Sequence, residues 1–202
     1  MDVYVESNFV VELALFQEQQ QSCENIVELC ASGEVRLVLP AYSLVEPYWT
    51  LVGTANRRRK LTTDLENEVS QKLSRSKPYR EHVEAIQRIA GFLVRSEQEE
   101  KESLWSIQSR LLNIAEVIPL SSAVLSSAMA YQADHDLSFQ DSVVYASVLN
   151  HLSTSTATSK CFLNRDRGFD DPDIEDTLRR FGCKMLFSFD RGHNYITSQL
   201  RT

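Results

Sequence analysis

No stretch of the 202-residue chain approaches the run of about 20 apolar side chains that a bilayer span needs. The opening residues, Met1 to Ser7, carry neither a basic segment nor a long apolar one of the secretory type. A cytoplasmic protein without a membrane partner is the expectation. Gly and Pro are scarce, at six and five, which excludes a collagenous or linker-dominated chain. Basic side chains are in deficit, 21 against 28 acidic for a net charge of -7, so any nucleic-acid contact has to come from a local patch. Cys23, Cys30, Cys161 and Cys183 form no C-x-x-C pair; each lies in an apolar stretch, as a reduced, buried cysteine does. There is no H-E-x-x-H, no G-x-G-x-x-G, no G-x-x-x-x-G-K and no G-x-S-x-G, which removes the zincin, dinucleotide, P-loop and α/β-hydrolase readings. Asp134, His135 and Asp136 bring acids and a histidine together, but neighbours on a turn diverge, and the segment reads as a polar inter-helix turn.

Short β-branched or apolar runs alternate with helical spacing. Strands are expected at Val3 to Val5, Val35 to Leu39, Val117 to Leu120, Lys160 to Asn164 and Lys184 to Phe189. Helices are expected through Phe9, Val10, Leu13 and Phe16, and through Cys23, Ile26, Val27 and Cys30 with Gly33 as its stop. Others are expected after Ser43, after Ser121 or Ser122, after Ser138, and after Asp171 with Pro172 in its first turn. Ser43 with Glu46, and Ser138 with Asp141, have capping-box spacing. Strands separated by helices give an α/β class, a three-layer α/β/α arrangement around a parallel sheet of about five strands. Between about 53 and 116 no strand signal occurs, and two or three helices broken at Pro78 make a helical arm inserted into a single domain spanning 1–202. The arm holds the one dense basic run, Arg57 to Lys60, either a solvated helix face or a contact to a phosphate backbone.

Ligand sites of open parallel sheets lie beyond the carboxyl ends of the strands. The residues expected there are Glu6, Glu46, Asp141 and Asp166, all acidic. Gathered carboxylates repel one another unless a cation lies between them, and hard oxygen donors select Mg²⁺ or Mn²⁺. Such an ion suits phosphodiester hydrolysis. Each acid also has a plainer reading: helix caps for Glu46 and Asp141, a loop residue for Glu6, an ion pair with Arg165 or Arg167 for Asp166. Asn8 and Asn164 either orient carboxylates, water or substrate or shape turns.

Glu6-Ser7-Asn8 after a short strand, Glu46 in Leu44-Val45-Glu46, Asp141 in Leu137 to Ser142, and Asn164-Arg165-Asp166-Arg167-Gly168-Phe169 resemble the successive motifs of PIN-domain nucleases, a family that includes the VapC-type toxins. The resemblance covers residues 1 to about 50 and 117 to about 190, and the arm between them is longer than in the small toxins. It implies a Mg²⁺- or Mn²⁺-dependent endoribonuclease with Glu6, Glu46, Asp141 and Asp166 as metal ligands and catalytic acids. Asn8, Asn164, Arg165 and Arg167 would face RNA, and the products would carry a 5′-phosphate and a 3′-hydroxyl. An antitoxin protein and a second copy of the chain are the implied partners. Two positions depart from the pattern: Glu6 stands where the family usually has Asp, and Gly168 where many members carry a further Asp, a role open to Asp170 or Asp171. A PIN-like module that binds without cleaving is the alternative these departures favour.

Overall fold

In the computed structural model, which describes residues 1–201, the first strand β1 (Asp2–Val5) leads into α1 (Ser7–Ala14), α2 (Gln20–Ala31) and β2 (Arg36–Pro40). Helix α3 (Ala41–Gln71) and helix α4 (Val83–Ile114) follow, separated by two 3-10 turns, Leu73–Arg75 and Lys77–His82. Then come β3 (Glu116–Ile118), α5 (Ser122–His135), α6 (Phe139–Leu152), β4 (Lys160–Leu163), α7 (Pro172–Arg180), β5 (Cys183–Leu186) and α8 (Phe189–Leu200). The chain forms two compact units, Met1–Pro47 with Ser106–Thr202, and Tyr48–Trp105.

The first unit holds a wholly parallel five-stranded sheet in the order β3-β2-β1-β4-β5. Strand residues alternate between the two faces. Tyr4, Val38 and Phe162 pack with Val144, Tyr145 and Val148 of the almost wholly buried α6 and with Ile174 and Leu178 of α7. Val3, Val5, Leu37, Leu39, Cys161 and Leu163 are equally buried on the other side, where α8 approaches Leu163. That approach requires Gly192, because a Cβ there would lie 2.7 Å from a Leu163 methyl carbon. The expected three-layer α/β/α architecture is the one observed. All four cysteines are free and buried.

Most expected caps form. Ser121 Oγ accepts from the Val124 N–H, Asp171 caps α7 with Pro172 at its start, and Gly33 takes the left-handed conformation after α2. Asp134 and His135 end α5, and Asp136, at φ 51°, turns the chain as read from sequence. Two expectations fail. Phe16 does not continue the apolar face of α1: the helix stops at Ala14, and Phe16 is left-handed and 73% exposed. Ser43 does not cap a helix, because α3 already begins at Ala41, directly after β2; its hydroxyl is buried without a partner. Pro47 consequently lies in the second turn, withholding an N–H from the Ser43 carbonyl.

In the second unit, Leu51, Ala55, Val69, Ala90 and Leu104 of α3 and α4 are buried. The periodic runs through Val83 to Phe92 and through Leu104 to Ile114 belong to one uninterrupted helix, α4, and Pro78 lies in the turn. Arg58 bonds Glu100 at 2.8 Å, and Arg59 pairs with Glu97, which Lys101 also holds at 2.6 Å. Two members of the basic run therefore clamp the hairpin instead of facing solvent unpaired.

Candidate active site

The chain runs outward from β1 to β2 and β3, then returns to the other side of β1 for β4 and β5, so the order reverses between β1 and β4. A crevice opens at such a reversal beyond the strand ends. Glu6 follows β1 and Asn164 to Asp166 follow β4, which puts both segments at that point.

Glu6 is buried and is the N-cap of α1, the role sequence reasoning did not give it. Its Oε2 accepts from the Asn8 N–H at 2.7 Å and from the Ser7 hydroxyl at 3.1 Å, while Oε1 accepts from the Arg165 N–H at 3.4 Å. Burial pushes the carboxyl up to about 7, against the lowering effect of these donors.

Asp141, the third residue of α6, is held by its capping serine: Ser138 Oγ accepts the Asp141 N–H at 3.1 Å and donates to Oδ2 at 2.6 Å. Asp166 Oδ1 accepts the Gly168 N–H at 2.8 Å. Asp141 Oδ2 and Asp166 Oδ1 each lie 3.3 Å from the point where a Gly168 Cβ would stand, so the two oxygens are at most twice that far apart. Burial raises the Asp141 carboxyl, and the neighbouring Asp166 charge adds to the shift. Glu46 is raised as well, first by burial, with the Ser7 hydroxyl opposing and the charges of Asp141 and Asp166 reinforcing it. Glu46 thus feels the charges of both aspartates and Asp141 that of Asp166, and Ser7 links Glu46 to Glu6. These four acids come from four separate segments of sequence.

The remaining expected residues are placed differently. Asn164 is fully enclosed, with neither amide atom of its side chain partnered, while its N–H bonds the Leu186 carbonyl at 3.0 Å. Arg165 is turned away from a substrate role: its guanidinium pairs with the buried Glu12 and lies 3.6 Å from Glu18. It is Glu12, not Asp166, that takes this arginine. Arg167 is exposed, and Asn8 is half-buried with its N–H on Glu6. Asp171 caps α7, and Asp170 is exposed at the end of the 3-10 turn Arg167–Phe169.

Sequence reasoning missed Tyr42 and Glu12. Tyr42 lies four residues before Glu46 on α3, the helical spacing that could have flagged it, and its hydroxyl is raised by burial and by the charges of Glu46 and Asp141. Glu12 carried no such signal, since its partner is 153 residues away.

Oxygen-only donors that destabilise one another's charge suit a hard divalent cation, and Glu46, Asp141 and Asp166 are the groups able to serve one. Their spacing is open: among the described residues no three His, Cys, Asp or Glu side chains are drawn close enough to form a ready-made ion shell.

A family model described as PIN domain matches residues 3–169. No curated protein matches the chain. Among solved structures, VapBC2 from Rickettsia felis, crystallised with a DNA fragment from its promoter, is similar at 13% identity, covering 92% of this chain and 98% of that one with a TM-score of 0.45.

Proposed function

The chain belongs to the PIN-domain family, and on that premise we propose that it is a divalent-metal-dependent endoribonuclease whose working groups are Glu46, Asp141 and Asp166. The observation that carries the reading is the convergence of Asp141 Oδ2 and Asp166 Oδ1, both 3.3 Å from the point where a Gly168 Cβ would stand, beside the order reversal of the sheet, with Glu46 near enough for their charges to raise its carboxyl. Mg²⁺ or Mn²⁺, when bound, supplies charge stabilisation to a phosphoryl group and lowers the pKa of an attacking water. The protein's part is to hold the donors. Ser138 fixes Oδ2 of Asp141 and the Gly168 N–H fixes Oδ1 of Asp166, which holds both carboxylates in place. Glu6 serves this site by positioning: it caps α1 and ties Ser7, Asn8 and the loop after β4 together.

The test is incubation of the purified protein with a labelled single-stranded RNA and Mn²⁺. Cleavage giving 5′-phosphate ends, abolished by EDTA and by Asp141→Asn, supports the reading; cleavage undiminished in Asp141→Asn removes that residue from the mechanism. A module that binds without cleaving is the second reading, favoured by the capping role of Glu6 and the open donor spacing. Mn²⁺ binding weaker than millimolar, with no cleavage of any RNA, would decide for it. An antitoxin-like partner and a homodimer also belong to the proposal; co-purification from the native host and light scattering test them. No described helix is long and apolar enough to cross a membrane.

A further inference from the structure

The one dense basic run in the sequence is not the best candidate for a phosphate contact, because Arg58 and Arg59 are committed to Glu100 and Glu97. The unpaired basic charge gathers elsewhere. Residues 72–95, around the turn of the arm, hold six basic and two acidic side chains, whereas the rest of the chain holds 15 basic and 26 acidic. Of the six, Lys72 pairs with Glu68. Arg75, Lys77, Arg80, Arg88 and Arg95 are all exposed, and among the described residues none is in an ion pair. Arg75 and Arg80 lie on the two 3-10 turns. Arg88 and Arg95 are seven residues apart on α4, so they share one face about 10 Å apart along the axis. They border a shallow recess with Gln87 and Gly91, where a Gly91 Cβ would meet nothing within 4 Å. Glu84 is the one acid that lines it.

We infer that the turn of the helical arm is a docking surface for a single nucleic-acid strand, which Arg75, Lys77, Arg80, Arg88 and Arg95 grip by its phosphates. Charge complementarity gives the class of partner, a polyanion that an otherwise acidic protein would repel. The choice of nucleic acid over an acidic peptide rests on two further features. Four of the five cations are arginines, which bind phosphate through a planar fork. Tyr79, 54% exposed and next to Arg80 in sequence, and Phe92, 58% exposed and between Arg88 and Arg95 on α4, offer exposed rings for bases to stack on, for which an acidic peptide has no counterpart. The grip needs no hydrolysis and stands whether or not the acidic site cleaves.

The experiment is fluorescence anisotropy with a labelled 20-nucleotide RNA, and with DNA of the same sequence, on the full chain in EDTA across a salt series. The comparison protein is the combined variant R75Q/R80Q/R88Q/R95Q, with helix content and melting checked by circular dichroism. The variant is expected to bind at least tenfold more weakly, with the slope of log affinity against log salt reduced by about 3, from roughly 0.7 per lost phosphate contact. RNA and DNA bound alike assign the grip to the shared phosphate backbone; RNA bound tenfold better assigns it to an RNA strand. An unchanged affinity and slope in a folded variant overturns the inference, and so does poly-glutamate competing as well as RNA at equal charge. Binding is read in EDTA, where the proposed metal-dependent cleavage is absent, so a failed nuclease and a failed docking surface give different results.

Discussion

The buried Glu12 carboxylate of α1 holds both the Arg165 guanidinium and, at 2.8 Å, the Gln19 N–H, and so pins the loop after β4 to the first helix. Glu12 is 1% exposed and the Arg165 side chain 32%. Removing one partner of such a pair strands a charge in the interior, a loss of about 3 kcal/mol. Arg165→Met is therefore expected to lower unfolding stability by roughly that amount, and Glu12→Leu/Arg165→Met by clearly less. Urea titrations of the wild type, both single variants and the double variant check this, and a double-variant loss equal to the sum of the two single losses would show that the pair has no coupling.

Gly168 lies against two of the site's carboxylates. A side chain there must fit against Asp141 Oδ2 and Asp166 Oδ1 at 3.3 Å. Gly168→Ala is expected to displace these carboxylates by a few tenths of an ångström, weakening Mn²⁺ affinity and cleavage about tenfold while changing stability by less than ~1 kcal/mol. Calorimetric titration and melting, run together, separate the two effects.

At the amino end of the sheet, Asp2 accepts two bonds from Arg36, at 2.9 and 2.6 Å, and one from Ser155 at 2.6 Å. Burial pushes its carboxyl up, but these partners outweigh it and the net value falls below the ordinary 3.8. A depressed acid contributes stability that is fully present above its unfolded pKa and is lost as pH falls through its folded one. Stability is thus expected to fall on acidification below about pH 4 through Asp2. Asp2→Asn should cost on the order of 2 kcal/mol at pH 7 and flatten the acid limb, as measured by denaturation at a series of pH values. An acid limb identical in both proteins would remove Asp2 from it.

The sheet and most helix ends were legible because their signals are local. Short apolar runs mark β1 and β2, Ser138 and Asp171 stand where caps must, and Gly33 takes the positive φ that ends α2. The acids of the site were legible only through strand order and motif resemblance. The roles of Glu12, Arg58 and Arg59 were not legible, because they depend on distant partners: Arg165 for Glu12, Glu97 and Glu100 for Arg59 and Arg58. Ser43 misled because capping spacing does not reveal that a helix has already started two residues earlier.

Ser138 both caps α6 and donates to Asp141. Ser138→Ala is expected to lose about 1 kcal/mol of stability and to leave Asp141 free to rotate, with a several-fold loss of Mn²⁺ affinity. Ser138→Thr, which restores the hydroxyl, should recover both, and recovery of stability alone would confine Ser138 to the cap.

Glu46, Asp141 and Asp166 are proposed to serve a common ion. Calorimetric titration of Mn²⁺ into the wild type and into Glu46→Gln, Asp141→Asn and Asp166→Asn tests it most directly. One set of sites in the wild type, weakened at least tenfold by each substitution, is the predicted result. Affinity unchanged in any two of the three folded variants would contradict it.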